Sequence, residues 1–219
     1  MSLGAKLLGV LLGVAAGTAL IVYYIVGYLI VTPHAVAARQ PAPGQSRLTL
    51  QTVASLGFGP HPDWVSYLAQ DSHGKWHHTT VFTVPAHATV TMTILQYDTA
   101  TGLRNGFWGK PRGIVGDTMI VNGKPLKNLN PDLASHTFAV PDLGVSVPLE
   151  GVSANAKNQC SAAPCTLKEA HNTVVFTFRT GKPGTYRWQC FVPCAAAFIF
   201  GFGGPMQSLG YMDGLLHVA

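Results

Sequence analysis

Hydrophobic and polar positions fall into two regimes along the chain. From Leu7 to Val31 no residue is charged, with Lys6 before the run and Pro33 after it. A membrane-spanning helix needs about 20 apolar residues, so the run is long enough to cross a bilayer. A cleaved signal peptide is the alternative, because Ala35-Val36-Ala37 has the small-residue spacing of a cleavage site. Signal-peptide cores run roughly 7–15 residues, which favours a retained anchor over residues 1–33. Either reading places the remainder outside the cytoplasm. Gly9, Gly13 and Gly17 recur every four residues and line one stripe of this helix, where small side chains let a second helix approach. The stripe is a candidate contact with other subunits of a membrane complex, and the general richness of membrane helices in glycine is the equal alternative.

Beyond the anchor the pattern changes period. Residues 34–78 read as a linker, rich in Ala, Pro, Gly and Gln toward their start, leading into a domain over 79–219. Strand signals separated by turn residues dominate that domain. In Thr89–Tyr97, Val90, Met92 and Ile94 alternate with Thr91, Thr93 and Leu95, a period of two. In Thr173–Arg179, Val174, Phe176 and Phe178 share one face and Thr173, Thr177 and Arg179 the other. Thr79–Val84, Thr118–Val121, His136–Val140, Gly184–Cys190 and Gly210–Val218 complete the set, and Asn122-Gly123 is a strong hairpin signal. Many short strands joined by Gly and Pro turns predict an all-β sandwich, with an inserted hairpin and loop at about residues 99–135.

Composition narrows the function classes. Charged residues are 11% of the chain, well below the roughly 25% of an average soluble protein. The net charge is +5, but the Lys and Arg residues are scattered, so no nucleic-acid track is expected. There is no Gly-x-Ser-x-Gly, phosphate loop or His-Glu-x-x-His, and only nine acidic residues, which argues against a hydrolase or any enzyme acting by itself.

The chemistry lies in two cysteine pairs. Cys160 and Cys165 flank a loop-like Ser161-Ala162-Ala163-Pro164, and outside the cytoplasm such a pair most simply forms a disulfide. Cys190 and Cys194 enclose Phe191-Val192-Pro193 at the end of a predicted strand. Thiolate is a soft ligand suited to copper, and His136 and Met206 offer the imidazole and thioether that such a site usually adds. A second disulfide, Cys190–Cys194, with His136 and Met206 as ordinary packing residues, is the competing reading. His73, His77 and His78 cluster without ligand spacing and read as a solvated loop. His61, His87, His171 and His217 have no evident partner. Trp188 shares a strand face with Cys190, where an electron path and core packing explain it equally well.

Two stretches resemble the copper-binding domain of cytochrome c oxidase subunit II. Ser135-His136-Thr137-Phe138-Ala139-Val140-Pro141-Asp142-Leu143-Gly144-Val145 is similar to the family segment in which a histidine ligand precedes a short strand and Pro-x-Leu-Gly. Lys182-Pro183-Gly184-Thr185-Tyr186-Arg187-Trp188-Gln189-Cys190-Phe191-Val192-Pro193-Cys194 is similar to the family's Pro-Gly-x-Tyr strand running into Gln-Cys-x-x-x-Cys. The resemblance covers roughly residues 79–98 and 136–218. It implies a cupredoxin-like Greek-key β-sandwich, preceded by one transmembrane helix and facing the extracytoplasmic side of the cell membrane. It implies copper held by His136, by Cys190 and Cys194 as bridging thiolates, and by the backbone carbonyl of Val192, with electrons exchanged with a redox partner protein. The family continues with a histidine and a methionine where this chain has Phe198 and Gly201. Three states therefore stand open: a mononuclear site using Met206, an atypical binuclear site completed by a remote histidine or a partner chain, and a metal-free domain. The functions that follow are electron transfer with copper bound, a structural or assembly role in a membrane complex without it, and copper chaperoning.

Overall fold

The computed structural model describes residues 2–29, 32–54, 57–59, 61–102, 105–192 and 204–219. It divides into two units, Met1–Thr32 and Pro33–Ala219. The first holds helix α1, Leu3–Tyr24, continued by a wider turn over Ile25–Leu29. Its N-terminus is capped by Ser2, whose side chain accepts the Ala5 N–H at 3.3 Å, satisfying one of the donors a helix start leaves open. The stretch Leu3–Gly27 is long and apolar enough to cross a membrane.

The second unit is a two-sheet β-sandwich. Its strands in chain order are β1 Val36–Ala37, β2 Arg39–Ala42, β3 Gln45–Val53, β4 Ser66–Gln70, β5 Trp76–His77, β6 Val81–Val84 and β7 Thr89–Gln96. They continue with β8 Met119–Val121, β9 Lys124–Leu126, β10 Ala134–Val140, β11 Val145–Glu150, β12 Asn172–Arg179, β13 Gly184–Gln189 and β14 Asp213–Val218. One sheet runs β1-β6-β14-β13-β10-β11, and the other β5-β4-β3-β7-β12-β8-β9, with β2 also on β3. Both sheets are mixed, because β3 pairs with β7 and β6 with β14 in parallel.

The period-two pattern is realised where it was read. Val90, Met92 and Ile94 of β7 are wholly buried, as are Val174 and Phe178 of β12, while Thr91 and Thr177 of the opposite face join their hydroxyls at 3.2 Å. The Asn122-Gly123 signal forms its hairpin between β8 and β9, both residues at positive φ (49° and 78°), as the turn matching strand twist requires. That hairpin extends the second sheet through pairing of β8 with β12, and Met119 and Val121 are buried.

Residues 34–78 depart from the linker expectation. They contain β1 to β5, and β3 lies at the centre of its sheet between β4 and β7. Their Pro, Gly and Gln content suggested a connector, yet Ser46, Leu48 and Leu50 alternate with Arg47 and Thr49, and the first three are buried. Alternation outweighs composition here, because burial of one face stabilises a strand whatever its flanking turns contain.

Trp188 of β13 organises the core. Its ring stacks on Phe138 (4.9 Å between centroids) and Phe82 (5.4 Å) and meets Tyr67 edge-on (5.0 Å), and its indole N–H donates to the Thr80 carbonyl at 2.9 Å. Gly214 of β14 admits this ring, since a Cβ there would fall 2.4 Å from the indole nitrogen and 2.0 Å from the Thr80 carbonyl oxygen. On the outer face of the second sheet, Val53, Leu68, Leu95 and Tyr97 form a smaller cluster with Cys165. Cys160 and Cys165 are disulfide-bonded, and the Cys165 N–H donates to the buried Gln51 side chain at 2.7 Å.

Gly214→Ala is expected to destabilise the domain by about 3 kcal/mol or more through overpacking against an immobile backbone carbonyl, measured as a loss of thermal unfolding midpoint. Cys160→Ser with Cys165→Ser is expected to cost about 2 kcal/mol, the loop-closure value for so short a loop, read by chemical denaturation.

Candidate metal centre

The centre is built where three strands end. On β10, His136 shares the face that Phe138 and Val140 turn to the core, and it is 1% exposed. The pairing of β10 with β11 slips between Ala134 and His136, so an extra residue, Ser135, precedes the histidine. Such bulges re-aim the side chain that follows. On β7 the buried face Val90, Met92, Ile94 and Gln96 continues by the same alternation to Asp98, just past the strand end. Cys190 directly follows β13, and its N–H is held by the Met212 carbonyl at 2.9 Å.

These residues meet. His136 Nε2 lies 3.0 Å from Asp98 Oδ2, and His136 Nδ1 faces Cys190 Sγ at 3.8 Å. Around the same sulfur, the Thr137 N–H approaches to 3.4 Å and the Val192 carbonyl oxygen to 3.4 Å. The Thr137 hydroxyl accepts the Phe191 N–H at 2.8 Å, so one residue of β10 fixes the turn that carries the thiol. Asp98 is anchored in turn by the Thr99 N–H, which it accepts at 2.7 Å.

Electrostatics follow from burial and pairing. Burial pushes the His136 imidazole toward neutrality, but its hydrogen bonds to Asp98 and Cys190, with their charges, outweigh this and raise its pKa to about 9. Burial likewise pushes Asp98 up, and His136 holds it below the ordinary carboxylate value. At neutral pH the metal-free pair is an imidazolium and a carboxylate. A metal taking Nδ1 must displace a proton there, while Nε2 keeps its carboxylate, the outer contact that orients most metal-binding histidines.

The donors fit a soft metal ion. With metal–nitrogen and metal–sulfur bonds of about 2.0 and 2.3 Å, two ligands of one tetrahedral ion lie about 3.6 Å apart. The 3.8 Å between His136 Nδ1 and Cys190 Sγ is close to that separation, and the Val192 carbonyl stands on the same sulfur. Met206 sits on a short 3-10 turn, Pro205–Gln207, partly buried against the core cluster that includes Cys190 and Val192. Cys194 lies outside the described residues, as do Phe198 and Gly201. Among the described residues no group of three His, Cys, Asp or Glu side chains is gathered as a metal site.

Most of the remaining histidines have local partners. His77 Nε2 pairs with Asp71 at 2.7 Å, His78 stacks on Phe58 at 4.3 Å, and His61 stacks on Trp64 at 3.8 Å. His171 lies against Tyr97, and His87 occupies the β6–β7 turn at φ 50°. His217 pairs with Thr185 near the start of β13, whereas Gln189 and Cys190 stand at its other end, roughly 13 Å along the strand. It is thus remote from Cys190. Asp98 is the site residue that the motifs did not single out. Its signal was the alternation of β7 carried past Gln96, which places a carboxylate on a core face.

No family model and no curated protein matches the chain. Among solved structures it is similar to rusticyanin from Thiobacillus ferrooxidans, at 16% identity over 86% of this chain and 84% of that one, with a TM-score of 0.38. It is also similar to a heme-copper terminal oxidase dimer, at 14% identity over 99% and 98% of the two chains, TM-score 0.30. A third is the metal-binding domain of the Streptococcus pneumoniae Cu(I)-exporting P-type ATPase CopA with Cu(I), at 8% identity over 85% and 96%, TM-score 0.33. Likenesses this distant assign no function.

The pair, a buried imidazole and a half-buried carboxylate, sets a pH dependence in metal-free protein. Because the folded pKa of His136 lies near 9 and the unfolded value near 6.5, its contribution is full below about pH 6.5 and is lost as pH rises through 9. Asp98, held low, contributes above its unfolded pKa and loses that contribution as pH falls. Thermal unfolding in chelator should show midpoints falling from pH 6.5 to 9. Asp98→Ala should cost about 3–5 kcal/mol at pH 7, by stranding a buried charge, and should flatten that slope. An unchanged slope in the variant would refute the pairing.

Proposed function

We propose that this chain is a membrane-anchored, extracytoplasmic cupredoxin-like copper protein that passes electrons to or from a membrane oxidoreductase, in the manner of oxidase subunit II. The observation that carries the reading is the convergence of His136 Nδ1 and the Val192 carbonyl on the buried Cys190 sulfur, with Asp98 holding the far side of the imidazole. Copper, when bound, supplies one-electron chemistry between two oxidation states. His136 and Cys190 would hold it, with Cys194, Met206 and the Val192 carbonyl as the further donors.

The chain's own part is to keep those donors still. Thr137 fixes the Cys190–Phe191 turn through its hydroxyl and points its N–H at the sulfur. Asp98 fixes the plane and the proton of the imidazole. Burial of His136 and Cys190 excludes water from both. Donors that do not rearrange let the oxidation state change with little motion.

Helix α1 supports the anchor, and the Cys160–Cys165 disulfide supports an oxidising, extracytoplasmic compartment. Gly9, Gly13 and Gly17 lie along one stripe of α1, where small side chains would let a neighbouring subunit's helix approach closely. A second reading, a metal-free structural or assembly subunit, is favoured by one observation: His136 and Asp98 already form a complete ion pair. Transient copper holding by a chaperone is distinguished by its exchange rate.

Full-length protein purified in neutral detergent and loaded with copper is expected to show an intense thiolate-to-copper absorption and a copper paramagnetic resonance signal. His136→Ala and Cys190→Ser should each abolish both. A mononuclear and a mixed-valence binuclear centre differ in hyperfine pattern. Protein that stays metal-free after loading under reducing conditions would sink the copper reading, and loss of copper to a chelator within minutes would indicate the chaperone.

A further inference from the structure

Strand β2 and strand β4 both pair with the edge of β3 that β7 leaves open, β2 against residues 45–47 and β4 against residues 49–53. A cavity of about 190 Å³ is lined by Arg39 and Arg47 from the first pairing and by Thr49 and Gln70 from the second, together with Asp71, Ser72 and Gly74. We infer that this cavity is a binding site for a phosphate-type oxyanion, held between Arg39 and Arg47.

The argument starts from register. Ala42 is opposite Gln45, so regular antiparallel pairing would set Arg39 opposite Leu48. Instead Arg39 is opposite Arg47, because β2 carries one extra residue between the two pairs. Pro41, which has no N–H to give to a ladder, lies within that irregular stretch. The bulge thus brings two arginine residues into direct cross-strand register, and both line the cavity. Like charges placed so are destabilising by themselves, and neither arginine forms an ion pair among the described residues.

The one carboxylate in the cavity is already committed. Asp71 Oδ1 accepts the N–H groups of His73 and Lys75 at 2.9 Å each, and Oδ2 pairs with His77 at 2.7 Å. The lining thus offers two planar, permanently charged forks and the hydroxyl-bearing Thr49 and Ser72, against the one carboxylate of Asp71. Tetrahedral oxyanions match that donor set, since each fork can give two parallel hydrogen bonds. Arg39 also follows closely on the apolar segment in sequence, so the oxyanion has two natural sources, a free phosphate and the phosphate of an anionic lipid headgroup. This site is independent of the copper reading.

The test uses the full chain with thermal unfolding as readout, in two arms. In neutral detergent, inorganic phosphate is titrated against wild type, Arg39→Gln, Arg47→Gln, Arg47→Lys and, as control, Arg179→Gln. In the second arm the same proteins are placed in lipid nanodiscs of phosphatidylcholine alone or with phosphatidylglycerol. Wild type and Arg179→Gln are expected to gain stability saturably with phosphate. Arg39→Gln and Arg47→Gln should lose that gain, and Arg47→Lys should weaken it about tenfold by removing one fork. Without phosphate, either Gln variant should unfold on the order of 1–3 °C higher than wild type, because the like-charge opposition is gone. Stabilisation by phosphatidylglycerol but not by phosphate identifies the source as lipid. Wild type and the two Gln variants responding alike in both arms would overturn the site.

Discussion

A buried imidazole must have a partner on each nitrogen, and that requirement shapes the working end of this domain. His136 is 1% exposed inside the sandwich, so an unpaired ring nitrogen there would cost stability. Asp98 supplies one partner and Cys190 the other. The bulge at Ser135, the extension of β7 past Gln96 and the Thr137 contacts to the Cys190 turn all serve that geometry. The sandwich is therefore graded, apolar around Trp188 and polar where β7, β10 and β13 terminate.

The same grading explains why the site is closed by parts distant in sequence. The turn at Cys190 is tied to Met212 through a backbone hydrogen bond and to Thr137 through a side chain. Trp188, two residues earlier, is locked between Phe82 and Phe138 and bonded to Thr80. Rigidity at the thiol is inherited from the core rather than built in the loop.

The two faces of the second sheet are used differently. Its inner face forms the core with the first sheet. Half of its outer face lies under the disulfide-bonded loop, where Tyr97 also bonds the Thr166 carbonyl at 3.0 Å. The other half is open and carries the threonines of β3, β7 and β12 with Arg47 and Arg179 among them. Arg39 stands opposite Arg47 at its edge only because β2 is bulged.

Much of the domain was readable along the chain because its causes are local. Period-two alternation in β7 and β12, the Asn122-Gly123 turn and the unbroken apolar run of α1 each act within a few residues, and each produced its element. His136 and Cys190 were singled out by their ligand chemistry and by the order of two motifs, and the fold brings their side chains to 3.8 Å. Residues 34–78 were misjudged where turn-rich composition hid the alternation of β3. What only the tertiary structure decided are the pairings across long sequence gaps: Asp98 with His136, Thr137 with Cys190, Arg39 with Arg47. These depend on strand register, and single-residue bulges in β10 and β2 shift that register by one. A period-two pattern looks the same on either side of such a shift, so the sequence determined which faces are buried, and the fold determined which residues meet.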